Sequence, residues 1–202
     1  GLMVFLDVVY NHFGPEGNYL HAYAPGFFTD RRRTPWGDAV NFDGPGSATV
    51  RSFFVHNALH WLEEYRFDGL RFDAVHAILD DSETHVLDQI AAAVRETIGR
   101  ERRIHLVLEN DANQSRFLER DVSGRPRLFE AQWNDDVHHA VHVLLTGEDR
   151  GYYEDYADDP AFRLERCLRE GFDFQGEPSP FRGGRARGEP SGHLPPAAFV
   201  SF

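Results

Sequence analysis

Residues 2–10 read LMVFLDVVY, an almost unbroken apolar run of strand length, rich in valine and phenylalanine. A run without polar alternation fits a parallel strand buried on both faces, and it suggests a chain that opens inside a domain. From 49 to 65 the spacing changes. Val50, Phe54, Ala58, Trp61, Leu62 and Tyr65 recur every three or four residues, which predicts an amphipathic helix. The stretch FDGLRFDAVHAI, residues 67–78, follows at once and predicts a second strand. Val86, Ile90, Val94 and Ile98 then mark a second helix ended by Gly99, and RIHLVLEN (103–110) a third strand. RLFEAQWN (127–134) predicts a fourth strand, DDVHHAVHVLLTG a helix with an acidic first turn, and AAFVSF (197–202) a fifth strand. Strand and helix in alternation imply right-handed crossovers and a parallel sheet, hence the α/β class.

Two stretches interrupt the rhythm. Residues 12–48 and 171–198 are rich in Gly, Pro and aromatics, and far longer than a simple connection requires. Long connections in a compact domain usually carry function, so 12–48 is expected to be a substrate-side loop and 171–198 an irregular segment. Within the second, RGGRARG at 182–188 reads as a solvated, mobile loop.

Composition narrows the classes. Of 202 residues, 41% are hydrophobic and 13% aromatic, enough to build a core and too many for a disordered chain. Lys plus Arg number 21 against 33 Asp plus Glu, a formal charge of -12, so nucleic acid and anionic lipid are not expected as partners. Cys167 is the single cysteine, which excludes an internal disulfide and favours a reducing, cytoplasmic location. No apolar run reaches the roughly 18 residues of a membrane span, and GLMVFLDVVYNHFG lacks the basic region of a signal peptide.

The charged residues of the apolar runs share one position. Strand one runs into Asp7, strand two ends on Arg71 and Asp73, and strand three ends on Glu109. All lie at carboxyl ends, the rim where α/β sheets and barrels gather their chemistry. A lone carboxylate there is commonly a helix cap or half of a salt bridge. Two on neighbouring strands suit glycoside cleavage, in which carboxyl groups about 5 Å apart divide the work of nucleophile and proton donor. Adjacent strands, about 4.8 Å apart, provide that spacing. Arg71 close to Asp73 would favour its charged form, and a drier setting would keep the proton on Glu109.

DVVYNHFG (7–14), GLRFDAVHAI (69–78) and LVLEND (106–111) resemble, in order and spacing, the first three conserved regions of the α-amylase family. Glycogen branching enzymes share WLEEYRFDGLRFDAV. NHFGPEGNYL, TPWGDAVNFDGPGS, QWNDDVHHAVHVLLTGE, GYYEDY and LPPAAFVSF resemble instead the members that act on maltooligosyl trehalose. The resemblance covers almost the whole chain. It implies a partial (β/α)8 TIM barrel, strands three to seven, with residues 1–202 an internal fragment of the catalytic domain. The family's third carboxylate would lie past Phe202, so the isolated chain is expected to be inactive.

The implied activity is that of a retaining hydrolase that cleaves the α-1,4 bond next to the terminal trehalose of an oligosaccharide. A branching enzyme, or a non-catalytic glucan-binding protein, are the alternatives. The resemblance makes Asp73 the nucleophile and Glu109 the acid/base, with Arg71 orienting Asp73. His12 would bond the sugar being cleaved, and Asp7 would support Arg71 or serve only as a structural charge. His76 stands where many amylases place a sugar-contacting lysine. Trp36, Trp133, Tyr153 and Phe181 could stack on sugar rings or simply pack, and Arg182 could donate to hydroxyls or face solvent. Asn11 matches a calcium-binding position of some amylases, but neither metal nor other cofactor is expected.

Overall fold

The structure is a computed structural model that describes residues 1–14 and 16–201. Pro15, in the 12–48 segment, and Phe202, at the end of the expected fifth strand, lie outside them. The chain forms two compact units, Gly1–Leu108 and Glu109–Phe202.

The first unit begins with strand β1 (Phe5–Val8), a four-residue helix α1 (Leu20–Tyr23) and an antiparallel hairpin of β2 (Phe28–Thr34) and β3 (Gly37–Val40). Helix α2 (Ser47–Glu63), β4 (Gly69–Phe72), α3 (Val86–Glu96) and β5 (His105–Glu109) follow. β4 pairs in parallel with both β1 and β5, as the alternation predicts. Helix α2 buries Val50, Phe54, Ala58 and Leu62, the face read from their spacing. Phe54 is the hub: its ring lies 5.0 Å from Tyr10 and 5.1 Å from Phe42, both tilted toward edge-on contact. Tyr65 falls beyond the helix and its ring rests 4.9 Å from Trp61 at the exit. Helix α3 is capped by His85, whose Nδ1 accepts the Leu87 N–H at 3.2 Å, and it buries Val86, Leu87, Ile90, Ala91 and Val94. Gly69 is obligatory because any Cβ there would collide with the His105 carbonyl on the neighbouring strand.

The hairpin corrects the reading of 12–48 as one long loop. FTDRRRT carries too many charges to announce a strand, and those charges are matched within the unit: Arg32 lies 2.9 Å from Asp43, and Arg31 also pairs with Asp43. The first apolar run is trimmed as well, from nine expected residues to Phe5–Val8.

The second unit holds β6 (Ala131–Trp133), α4 (Asp135–Thr146), α5 (Pro160–Glu170), a two-residue pair β7 (Pro178–Ser179) with β8 (Arg185–Ala186), and β9 (Phe199–Val200). β6 and β9 are parallel, with Gln132 opposite Phe199. The strand expected over 127–134 shrinks because its first half is bonded as a loop. Arg120 donates to the Phe129 carbonyl at 2.9 Å, and the Phe129 N–H donates to Phe117 at 3.1 Å. Helix α5 is absent from the sequence reading, although its signals are present: Asp159 Oδ1 caps the Phe162 N–H at 3.1 Å, Pro160 sits at its first position and Gly171 ends it. Helices α4 and α5 pack around Ala140, Val143, Tyr156 and Phe174, with Tyr153 and Leu164 against them. Among the described residues no helix is long and apolar enough to cross a membrane.

Candidate active site

In the first unit the parallel register sets Asp7 of β1 beside Arg71 of β4. Arg71 Nη1 lies 2.8 Å from Asp7 Oδ1 and 2.7 Å from Asp73 Oδ1, so one nitrogen bridges two carboxylates. The guanidinium side chain is 10% exposed, while Asp73 is 28% and Asp7 56% exposed. The cation is thus fixed below and the anions remain open to a ligand. Asp73 is held from its backbone too, its N–H donating to the Val8 carbonyl at 3.0 Å. Ala74, immediately after it, takes a left-handed φ of 41°. For an alanine that conformation costs about 1–2 kcal/mol, and strain of this sort concentrates where a side chain must be aimed.

Two other expected residues meet in this unit. The His12 ring stacks on Trp36 at 4.5 Å and 18°, and Trp36, in the turn between β2 and β3, is 38% exposed. His12 Nδ1 and both polar atoms of the buried Asn11 side chain have no hydrogen-bond partner among the described residues. His76 is exposed, on the single turn Val75–Ala77. No group of three or more His, Cys, Asp or Glu gathers as a metal site among the described residues.

In the second unit Glu109 is half-buried at the end of β5, and Trp133 half-buried at the end of β6. Tyr153 lies flat on His142, with ring centres 4.2 Å apart, over the core between α4 and α5. Phe181 is 49% exposed and meets the Tyr152 ring edge-on at 6.3 Å. Arg182 is not solvated: it pairs with the Asp111 carboxylate and donates to the Asp111 carbonyl at 3.0 Å. The expectation of a mobile RGGRARG loop fails most clearly at Arg187. Its side chain is 2% exposed and lies 2.8 Å from Asp136 and 2.9 Å from Asp111. Burial works against its charge, but Asp136, Tyr156 and Asp111 outweigh it and raise its pKa above the ordinary arginine value. Gly188, at φ 85°, is required beside it, since a Cβ would strike the Phe174 carbonyl. Asp111, Asp136 and Arg187 were not singled out from the sequence; the one available signal is an arginine enclosed by glycines.

Parallel strands joined through helices define the α/β class, and an arginine shared by two aspartates lies at the strand ends. The relatives agree. A crystal structure from Salmonella typhimurium assigned to the α-amylases is 50% identical, with a TM-score of 0.93 over 99% of this chain and 33% of its own. The chain is thus similar to about a third of an α-amylase-type enzyme, and its fold is the parallel α/β arrangement of that kind of barrel. Among curated proteins it is similar to the malto-oligosyltrehalose trehalohydrolases, at 45% identity across 99% of this chain for the Rhizobium sp. strain M-11 protein. The Saccharolobus solfataricus protein is 40% identical across 100% of the chain. The chain spans about a third of the length of these relatives, 33% and 34%. No family model matches it.

Proposed function

We propose that the chain supplies the nucleophile and the proton donor of a retaining glycoside hydrolase that releases trehalose from maltooligosyl trehalose. The observation that carries the reading is the Arg71 bridge. With Asp73 Oδ1 held at 2.7 Å by Arg71, Oδ2 is the oxygen presented to the anomeric carbon. The last register pair of β4 and β5 is Phe72 with Leu108, and the next residue in each chain segment is a carboxylate, Asp73 or Glu109.

In the first step Asp73 attacks the anomeric carbon, the α-1,4 bond breaks, and Glu109 gives its proton to the departing trehalose oxygen. In the second, Glu109 takes a proton from water, which attacks the glycosyl ester and frees Asp73. Two inversions leave the configuration unchanged. Asp7 keeps Arg71 in place. His12 and Trp36 form an aromatic pair suited to a sugar ring, and Phe181 with Arg182 suits the leaving disaccharide. Tyr153, Trp133 and His76 are the remaining candidates for the glucan path. The relatives' names support an oligosaccharide substrate, and a cytoplasmic setting fits such a substrate.

The test is product analysis of the full-length protein with maltooligosyl trehalose and with plain maltooligosaccharide of equal length. Free trehalose, with kcat/KM about thirty- to a thousandfold higher on the first substrate, is the expected outcome. α-1,6 branches without trehalose would replace the reading with that of a branching enzyme.

A further inference from the structure

Arg187 uses its whole guanidinium inside the second unit. Nε donates to the Asp111 carbonyl at 2.8 Å, Nη2 lies 2.9 Å from the Asp111 carboxylate and 2.8 Å from Asp136, and Nη1 donates to the Tyr156 hydroxyl at 2.6 Å. Asp136 is itself saturated: Asn113 Nδ2 donates to its Oδ2 at 2.8 Å, as do the N–H groups of Asp173 at 2.8 Å and Phe174 at 3.1 Å. Stability alone is a poor reason for such an assembly, because a buried ion pair is often matched or bettered by apolar residues of the same volume.

What the assembly does fix is the turn that follows Glu109. Asn110 gives its carbonyl to Gln132 Nε2 at 3.0 Å. Asp111 is gripped by Arg187 at both carbonyl and carboxylate. Asn113 adopts a left-handed φ of 48° and gives its carbonyl to the Glu189 N–H at 3.0 Å, while its side chain reaches Asp136. Three of the four residues after Glu109 are therefore tied to this buried centre or to its edge, and Asp111 is tied by Arg187 itself.

We propose that Arg187 is a positioning residue for Glu109, holding the turn beyond β5 so that the carboxyl group meets the departing oxygen at hydrogen-bond distance. The inference rests on the reading of Glu109 as proton donor. A donor displaced by about 1 Å loses on the order of a hundredfold in rate, and this loss appears only where a proton has to be delivered.

The test compares kcat/KM of the full-length enzyme on maltooligosyl trehalose and on α-maltotriosyl fluoride, whose fluoride departs without a proton. Arg187→Met is made alone and together with Asp136→Asn, the double variant removing the guanidinium together with the charge of its fully buried 2.8 Å partner so that a folded protein is available. Arg187→Lys, which keeps one charge and fewer donors, is the conservative variant. The Met variants are expected to lose about a hundredfold on the glucan and no more than about threefold on the fluoride, with Lys between them and the wild type. Equal losses on both substrates would overturn the proposal, since a merely structural role lowers both alike. A wild-type enzyme idle on both would remove the glycosidase reading itself, and the role of Arg187 with it.

Discussion

Each unit is built around an arginine between aspartates, but the two settings are opposite. Arg71 serves Asp7 and Asp73, carboxylates 56% and 28% exposed, whereas Arg187 is enclosed by Asp136 and, at 3.6 Å, Asp155, which are 0% and 2% exposed, with Asp111, 35% exposed, at the edge of the cluster. Around Arg187 every oxygen of Asp136 is consumed by donors of the protein. At Arg71 one oxygen of each aspartate is engaged and the anions face outward. The same pair of residue types therefore stands in two settings that burial tells apart: a largely buried ion cluster suited to holding the chain in place, and an open one at strand ends suited to the proposed chemistry.

The largest expected effects separate these roles. Asp73→Ala should lower kcat of the full-length protein on maltooligosyl trehalose about 10⁴-fold or more, with stability changed by less than about 1 kcal/mol. Asp136→Ala should cost about 3–5 kcal/mol by urea unfolding, because it removes the nearest counter-charge of the buried Arg187 and leaves the buried donors of Asn113, Tyr156, Asp173 and Phe174 without their acceptor. Comparable stability losses from the two substitutions would erase the distinction. A smaller effect is expected at Arg71→Lys: an ammonium on a flexible stem still pairs with a carboxylate but fixes it less well. Steady-state kinetics should show kcat about ten- to a hundredfold lower and KM little changed. Full activity would mean that Asp73 is oriented by other contacts.

How much of this the sequence reveals depends on what each segment buries. Helices α2, α3 and α4 bury one apolar face, and their three-to-four spacing is plain. Arg71, Asp73 and Glu109 stand out because charges that end apolar runs are conspicuous. The β2–β3 hairpin is hidden because its stability comes from charges matched across short distances, Arg32 to Asp43 among them. The role of Arg187 is hidden for a related reason. Glycines and arginines in RGGRARG have the composition of a solvated loop, and only the fold brings Asp111, Asp136 and Tyr156 around the guanidinium. Helix α5 was legible in its caps, but its exposed Phe162 and Leu168 blur the apolar face.

A third arginine cluster sharpens the comparison within the first unit, and its expected effect is the smallest. Arg51 Nη1 lies 2.7 Å from Asp80, a side chain 0% exposed. Burial alone would raise the Asp80 pKa, but hydrogen bonds from Ser82 and Val86 and the charge of Arg51 bring it below the usual carboxylate value. Folding is therefore stabilised by this group above its unfolded pKa of about 3.9, and the contribution disappears as pH falls through the lower folded value. The stability advantage of the wild type over Asp80→Asn should hold at pH about 5 and shrink below it in urea titrations. An advantage independent of pH would show that the charge of Asp80 is immaterial.

The most direct test of the open cluster as the chemical one is to trap its covalent product. The full-length Glu109→Ala protein, incubated with α-maltotriosyl fluoride, can form the glycosyl ester but lacks the base that would hydrolyse it. Peptide mass spectrometry should then find one maltotriosyl group on the carboxylate of Asp73. An adduct on any other residue, or continued turnover without an adduct, would contradict the assignment.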